Sequence, residues 1–177
     1  MKTNSIKPRP TFRKPNANDG SIVWDIVKNS GKLDENSIYC NLLQCTHFSD
    51  TCVIAEVDGK PVGWLSAYIP PQKPDTLFVW QVCVTEEARG LGIAKQLIHT
   101  ALKRDVCEDV RKIESTITKD NEASWALFGA IADNFGADLS KKVMFDEEKH
   151  LDGQGDTEHL VSIAPVKQNH PVLRSVA

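Results

Sequence analysis

Apolar residues change period several times along the chain, and each change marks an element. In "NDGSIVWDIVKNS", Ile22, Val23, Ile26 and Val27 recur at helical spacing, with Asn18 or Asp19 available as a cap. A short strand, "TFRKP", precedes this helix, and a second helix is predicted through "SIYCNLLQCTHF". "TCVIAEVDGKPVGWLSAYI" holds two apolar segments around Asp58-Gly59, a strong hairpin signal. "PPQKP" reads as a stiff loop. "TLFVWQVCV" is rich in β-branched and aromatic residues and apolar on both faces, which predicts a central strand.

Beyond it, Ile93, Leu97 and Ala101, with Ile98 and Leu102, fall at four-residue spacings on one side of a helix. "RKIESTIT" is the next strand. "NEASWALFGAIADNFG" reads as a helix with Ala123, Leu127, Ala130 and Ile131 facing inward and Gly136 as its stop. "KKVMF" and "EHLVSIA" close the pattern as strands around a polar loop, "DEEKHLDGQGDT". The predicted order is β-α-α-β-β-β-α-β-α-β-β. That is an α/β (α+β) fold, with a mixed, mainly antiparallel sheet of about seven strands flanked by about four helices. One domain is expected over residues 1–177, with a core at about 10–165, an arm at 1–9 and a tail at 166–177.

Composition narrows the function classes. The chain has 177 residues, enough to bury a core without staples. Its net charge of -3 argues against a general nucleic-acid binder. No apolar run approaches the ~20 residues that span a bilayer. The basic start, "MKTNSIKPRP", has no apolar stretch behind it, so no secretory signal is read there and a cytoplasmic location is expected. Five cysteines, an odd count with no CxxC pair, read as reduced and mostly buried thiols. The five histidines lack metal-ligand spacing, and no metal is expected.

The chemistry concentrates in "ARGLGIAKQL". It follows a strand and opens a helix. A glycine turn there points free backbone N–H groups at the helix N-terminus, which makes an anion site. Gly90 and Gly92 let a phosphate approach without a Cβ in the way, and Arg89 adds positive charge. A P-loop does not fit, and the third glycine of the dinucleotide fingerprint is missing. The stretch Arg89-Gly90-Leu91-Gly92-Ile93-Ala94 resembles the acetyl-CoA motif of the GNAT N-acetyltransferases, R/Q-x-x-G-x-G/A. A second block, Asn121-Glu122-Ala123-Ser124-Trp125-Ala126-Leu127-Phe128, is similar to that superfamily's N-x-x-A/S-x-x-L-Y helix. The resemblance implies a GNAT fold with acetyl-CoA as co-substrate. Its pyrophosphate would lie on the N–H groups of Arg89 to Ala94, and its pantetheine arm on the Val82–Val84 strand. Asn121 and Ser124 would lie beside the arm, and a strand N–H near Val82 would hold the oxyanion. One departure stands out. Phe128 replaces the family's frequent tyrosine, so a proton for the leaving thiolate must come from elsewhere or from water.

Acceptor candidates lie where this superfamily binds its amine: Asp34, Tyr39, Trp80, Glu114, Glu158 and His159. Trp80 stands two residues before Val82, which predicts that both point the same way. Each acceptor candidate weighed also has a plain reading: Asp34 as a helix cap, Trp80 as core, Glu114 as an exposed strand residue, and Glu158 as solvated or at a dimer contact. The blocks "LDENSIYCNLLQCTHFSDTCVIAE", "VGWLSAYIPPQKPDTLFVWQVCV" and "IESTITKDNEASWALF" are similar to the L-2,4-diaminobutyrate acetyltransferases of ectoine synthesis, over about residues 10 to 163. Glu35 departs from an expected apolar residue. This resemblance implies transfer of acetyl from acetyl-CoA to the 4-amino group of L-2,4-diaminobutyrate by direct attack, in a homodimer. Asp34 and Glu158 would then recognise ammonium, Trp80 would form a wall and Tyr39 would offer a hydroxyl. Glu114 would take the proton. A GNAT enzyme for another small amine, or a non-catalytic acetyl-CoA sensor, are the rival readings.

Overall fold

In the computed structural model, residues 9–31 and 33–167 are described; of the expected arm and tail, 1–8 and 168–177 lie outside the described residues. The described residues form, in chain order, β1 (Thr11–Arg13), α1 (Gly20–Ser30), α2 (Ile38–Thr46), β2 (Val53–Val57), β3 (Lys60–Tyr68), β4 (Thr76–Val84), α3 (Ile93–Leu102), β5 (Lys112–Thr118), α4 (Glu122–Phe135), β6 (Asp138–Phe145), α5 (Glu147–His150) and β7 (Glu158–Ala164). They form one sheet in the order β1-β2-β3-β4-β5-β7-β6. Every pair is antiparallel except β4 with β5. The predicted order therefore stands, with β4 at the centre. The turn between β2 and β3 holds Asp58 and Gly59 at positive φ, 51° and 74°, as a tight hairpin requires.

Helices cover the two faces of the sheet. The apolar stripe of α3 (Ile93, Leu97, Ile98, Ala101 and Leu102) is buried against Val53, Leu65, Leu77, Val79 and Ile113. On the other face, α1 brings Val23, Ile26 and Val27 into a second cluster with Cys45, Ile54 and Trp64. Burying such side chains stabilises the fold by about 1.5–3 kcal/mol each before entropy is counted.

Four local expectations need correction. Asp19 gives α1 no side-chain cap. It is nearly buried, and its carboxylate instead accepts two bonds from the Arg13 guanidinium at 2.7 and 2.8 Å, since a buried charge needs a partner. In α4 the buried stripe is Phe128, Ile131 and Ala132, while Ala123 and Ala130 are exposed. Helix spacing alone allowed either rotation, and the bulkier Phe128 took the core. The polar loop after β6 contains the short α5, begun by the Asp146 side chain, which accepts from the N–H groups of Glu148 and Lys149. Val166 belongs to the core rather than to a tail: it is fully buried, and its N–H donates to the Arg111 carbonyl at 2.7 Å.

A fifth correction bears on the site. Between β3 and β4 the register jumps: Ser66 faces Gln81, but Ala67 faces Val79. Trp80 is the extra residue of a β-bulge, and a bulge breaks strand alternation. Val82 and Val84 pack on the α3 face, whereas Trp80 meets Tyr68 on the other face, with ring centroids 6.4 Å apart. Trp80 and Val82 thus point to opposite faces.

Phe128→Ala should cost about 3–5 kcal/mol, the range for an aromatic removed from a packed core. Urea unfolding of the two proteins measures the difference.

Candidate active site

β4 and β5 pair for only four positions, Thr76–Val79 against Lys112–Ser115. Beyond them β5 continues to pair with β7 through Thr118, while β4 continues beside β3. Two neighbouring strands thus part in the middle of the sheet. A cleft of about 700 Å³ opens at the gap, lined by Val82, Cys83 and Val84 of β4, by the turn and first residues of α3, by Asn121, Ser124 and Leu127, and by Ser30 and Leu33 from the α1 side.

The turn explains the cleft's chemistry. Gly90 and Gly92 take φ of 78° and 72°, a left-handed conformation that favours glycine. No side chain caps the start of α3. Its first N–H groups therefore lack an intrahelical partner at the mouth of the cleft, where the helix dipole favours an anion. Arg89, Gly90, Gly92, Ile93, Ala94 and Lys95 all line it. Contrast α4, whose first turn is capped by Asn121: its Oδ1 accepts from the Ser124 N–H at 3.1 Å. Asn121 is at once a cap and part of the wall.

Of the expected cofactor residues, Val82, Val84, Arg89, Gly90, Gly92, Ile93, Ala94, Asn121 and Ser124 come together here. Leu91 is half-buried against the α3-side core. Lys95 was not singled out from the sequence. Its position, in the first turn of a helix with an anion-binding start, was the available signal. Cys83 also lines the cleft, but burial pushes its thiol up to about 12, so it is a poor nucleophile. Phe128 is buried in the core, so no phenol hydroxyl enters from that position.

The acceptor candidates divide. On β5, Ile113 and Ile117 face the α3-side core, so Glu114, Thr116 and Thr118 face the other way. Their β7 partners, Ser162, Leu160 and Glu158, share that side. Glu158 is therefore across the sheet from the cleft, at the end where the strands have parted. Its Oε2 is buried without a partner, and Thr116 hydrogen-bonds to the carboxyl. Burial raises its pKa above the usual carboxylate range; Asp34 and Asp156 push the same way, and Thr116 and His159 oppose them. Asp34, whose charge acts on Glu158, lies on the loop before α2, which β4 holds down. Gln81 donates from Nε2 to the Asp34 carbonyl at 2.9 Å, and its Oε1 accepts from Asn36 at 3.1 Å. Ser37, not Asp34, caps α2.

The other candidates separate from this pair. His159 pairs with Ile117 and contacts Trp125 of α4, with ring centroids 6.5 Å apart, so it lies on the opposite face from Glu158. Tyr39 stands exposed on the first turn of α2. Trp80 is half exposed beside Tyr68. Glu114 is buried, and its Oε2 accepts from Lys73 Nζ at 2.8 Å. Lys73 was not anticipated, because nothing in "PPQKP" indicates which strand the loop folds over. Among the described residues, no group of three or more His, Cys, Asp or Glu is placed to hold a metal ion. No described helix is long and apolar enough to cross a membrane.

A central sheet that parts beside a glycine-started helix defines an acyl-CoA-type transferase fold, and comparison with known proteins agrees. Residues 23–131 match the model of the acetyltransferase (GNAT) family. The chain belongs to this family, whose members are acyltransferases. It is 46% identical over 160 residues to the L-2,4-diaminobutyric acid acetyltransferase of Methylotuvimicrobium alcaliphilum, covering 90% of this chain and 93% of that one. The protein of the same name from Chromohalobacter salexigens is 44% identical, over 91% and 84% of the two chains. Among solved structures, the diaminobutyrate acetyltransferase EctA from Paenibacillus lautus, in complex with L-2,4-diaminobutyric acid and coenzyme A, is similar with a TM-score of 0.86. It is 38% identical, over 92% of this chain and 99% of that one.

The raised pKa of Glu158 predicts a signature in stability. A carboxyl that binds its proton more tightly when folded weakens the fold as pH rises from its unfolded towards its folded pKa. Glu158→Gln should melt higher than the parent protein at pH 7–8, with the gap closing below about pH 4. Thermal unfolding across pH, with no ligand added, measures it.

Proposed function

We propose that this protein transfers acetyl from acetyl-CoA to the 4-amino group of L-2,4-diaminobutyrate, a step of ectoine synthesis. The parting of β4 from β5 carries the reading, because an anion-binding cleft opens at the gap and the Glu158 carboxyl lies on the side of the sheet away from α3. The similarity to diaminobutyrate acetyltransferases supports the choice of amine.

The cleft fits acetyl-CoA by its chemistry: an uncapped helix start for the pyrophosphate, then an apolar wall at Val82, Val84 and Leu127 for the arm. When bound, acetyl-CoA supplies a thioester carbonyl as electrophile. The chain's own residues must supply a neutral amine. An alkyl amine with a pKa near 10.4 loses its proton at pH 7 at a cost of about 4–5 kcal/mol. Glu158 suits the part of proton acceptor, since its carboxyl is half-buried, has a free oxygen and is poised to hold a proton. Asp34, whose charge acts on Glu158, attracts the incoming ammonium. Glu114, the stronger candidate on sequence, is tied to Lys73, and we assign the proton to Glu158 instead. Trp80, half exposed beside Tyr68, would form a wall of the acceptor site.

We further infer a homodimer. β6 is exposed along its whole length and carries Leu139, Val143, Met144 and Phe145 at the sheet edge. An uncovered apolar edge strand invites pairing with a second copy. A cytoplasmic location accords with the need for acetyl-CoA.

Thiol release from acetyl-CoA with L-2,4-diaminobutyrate, ornithine, lysine and spermidine tests the reading. Strong preference for diaminobutyrate, with the product acetylated at N4 by NMR, is expected. Activity on another amine alone would discard the acceptor assignment, and coenzyme A binding with no turnover on any amine would indicate a sensor. Gly92→Val, a β-branched residue at positive φ, should raise KM for acetyl-CoA at least about tenfold with little change in KM for the amine.

A further inference from the structure

The edge to which each residue of β4 turns its backbone switches at Trp80. Thr85, just past the strand, donates its N–H to the Val62 carbonyl at 2.8 Å, so its backbone faces β3. Successive residues of an extended strand turn their N–H groups to opposite edges. Counting back from Thr85, Cys83 and Gln81 face β3, while Val82 and Val84 face the gap. Gln81 agrees, since its N–H points at Ser66 of β3. Upstream the order is reversed: the Val79 carbonyl faces β5, where it accepts from the Ser115 hydroxyl. Without the extra residue Trp80, odd-numbered positions would face the gap throughout, and Val82 would turn its N–H towards β3.

Two serines hold the backbone on either side of this switch. The Gln81 N–H donates to Ser66 Oγ at 3.1 Å, and the Val79 carbonyl accepts from Ser115 Oγ at 2.9 Å. Ser66 and Ser115 are 1% and 5% exposed, and they come from the two strands that flank β4. Neither serine lines the cleft. A bulge takes backbone groups out of the ladder, and in a buried strand those groups need other partners. One hydroxyl from each neighbouring strand supplies them here.

We propose that Ser66 and Ser115 are positioning residues for the acyl transfer. By clamping the bulge from both sides they keep the Val82 N–H in the gap, where it polarises the thioester carbonyl. Each acts through the β4 backbone. A donor to developing negative charge works because it is already in place, and a misplacement of about 1 Å can lower a rate about 100-fold. A bulge that slid by one residue would turn the Val82 N–H away from the gap. This inference rests on the proposed acetyl transfer, and its test separates the two.

Ser66→Ala and Ser115→Ala should each lower kcat by about 10–100-fold, with KM for acetyl-CoA changed less than about threefold. Ser115→Thr, which keeps the hydroxyl, should restore most of the rate. The second readout needs no turnover. An analogue of acetyl-CoA with a methylene in place of the thioester sulfur, isotopically labelled at the carbonyl carbon, cannot pass on its acetyl group. Its carbonyl NMR resonance should move downfield on binding to the parent protein and should move less in each alanine variant. Should an alanine variant fail to fold because a buried backbone group is left unpaired, Ser66→Cys or Ser115→Cys fills the same space with a weaker hydrogen-bonding group and should show both changes in smaller measure. A folded alanine variant with the parent's kcat and carbonyl shift, or with its losses confined to KM for acetyl-CoA, would overturn the proposal while leaving the function intact. A parent protein that transfers acetyl to none of the amines would overturn the function, and the carbonyl shift of parent against variant would then decide this inference by itself.

Discussion

Four paired positions between β4 and β5, and then a gap, set the terms for everything else in this molecule. A continuous sheet would seal one face from the other. The gap lets groups on opposite faces meet, and it leaves the end of β4 free to line a cleft rather than a ladder. A parallel pair cannot be closed by a tight turn. The chain must therefore cross from β4 to β5, and α3 is that crossing. The strand is followed at once by the glycine turn, and the uncapped helix start falls at the mouth of the gap. The bulge at Trp80 lies just where the paired segment ends. It turns Trp80 to one face and Val82 to the other, so one strand serves both halves of the site.

The two faces do different work by ordinary electrostatics. The cleft presents backbone N–H groups, Arg89 and Lys95 beside an apolar wall, which suits a phosphate-bearing ligand with a long arm. The other face presents carboxyls in graded surroundings. Asp34 is exposed on its loop, Glu158 is half-buried with a raised pKa, and Glu114 is buried and matched by Lys73. Three acids with three environments are three different groups chemically.

Much of this was legible in the sequence because local chemistry and global fold agree. The Asp58-Gly59 hairpin, the α3 stripe and the glycine start of α3 follow from spacing and backbone preference, and the structure bears them out. Most of the expected cleft residues are contiguous along one strand, one turn and one helix start, while Asn121 and Ser124, at the start of α4, came from the family resemblance. The acceptor face was legible only as a set of candidates, because its geometry is non-local. The bulge that reverses Trp80 depends on how β3 and β4 register, which alternation within β4 does not reveal. Whether Glu158 or His159 faces the gap depends on pairing with β5, and Lys73 meets Glu114 across 41 residues. In α4 the bulk of Phe128, not spacing, chose the buried stripe.

The central claim is that the two substrates meet through the gap from opposite faces. Amide hydrogen exchange with stepwise addition of ligand tests it most directly. Coenzyme A alone should slow exchange at the start of α3 and across Val82–Val84 and Asn121–Leu127. Adding L-2,4-diaminobutyrate should then slow exchange in the Asp34–Asn36 loop and at Glu158. Protection of both sets by coenzyme A alone, or of the α3 start by the amine alone, would contradict the division of the site between the two faces.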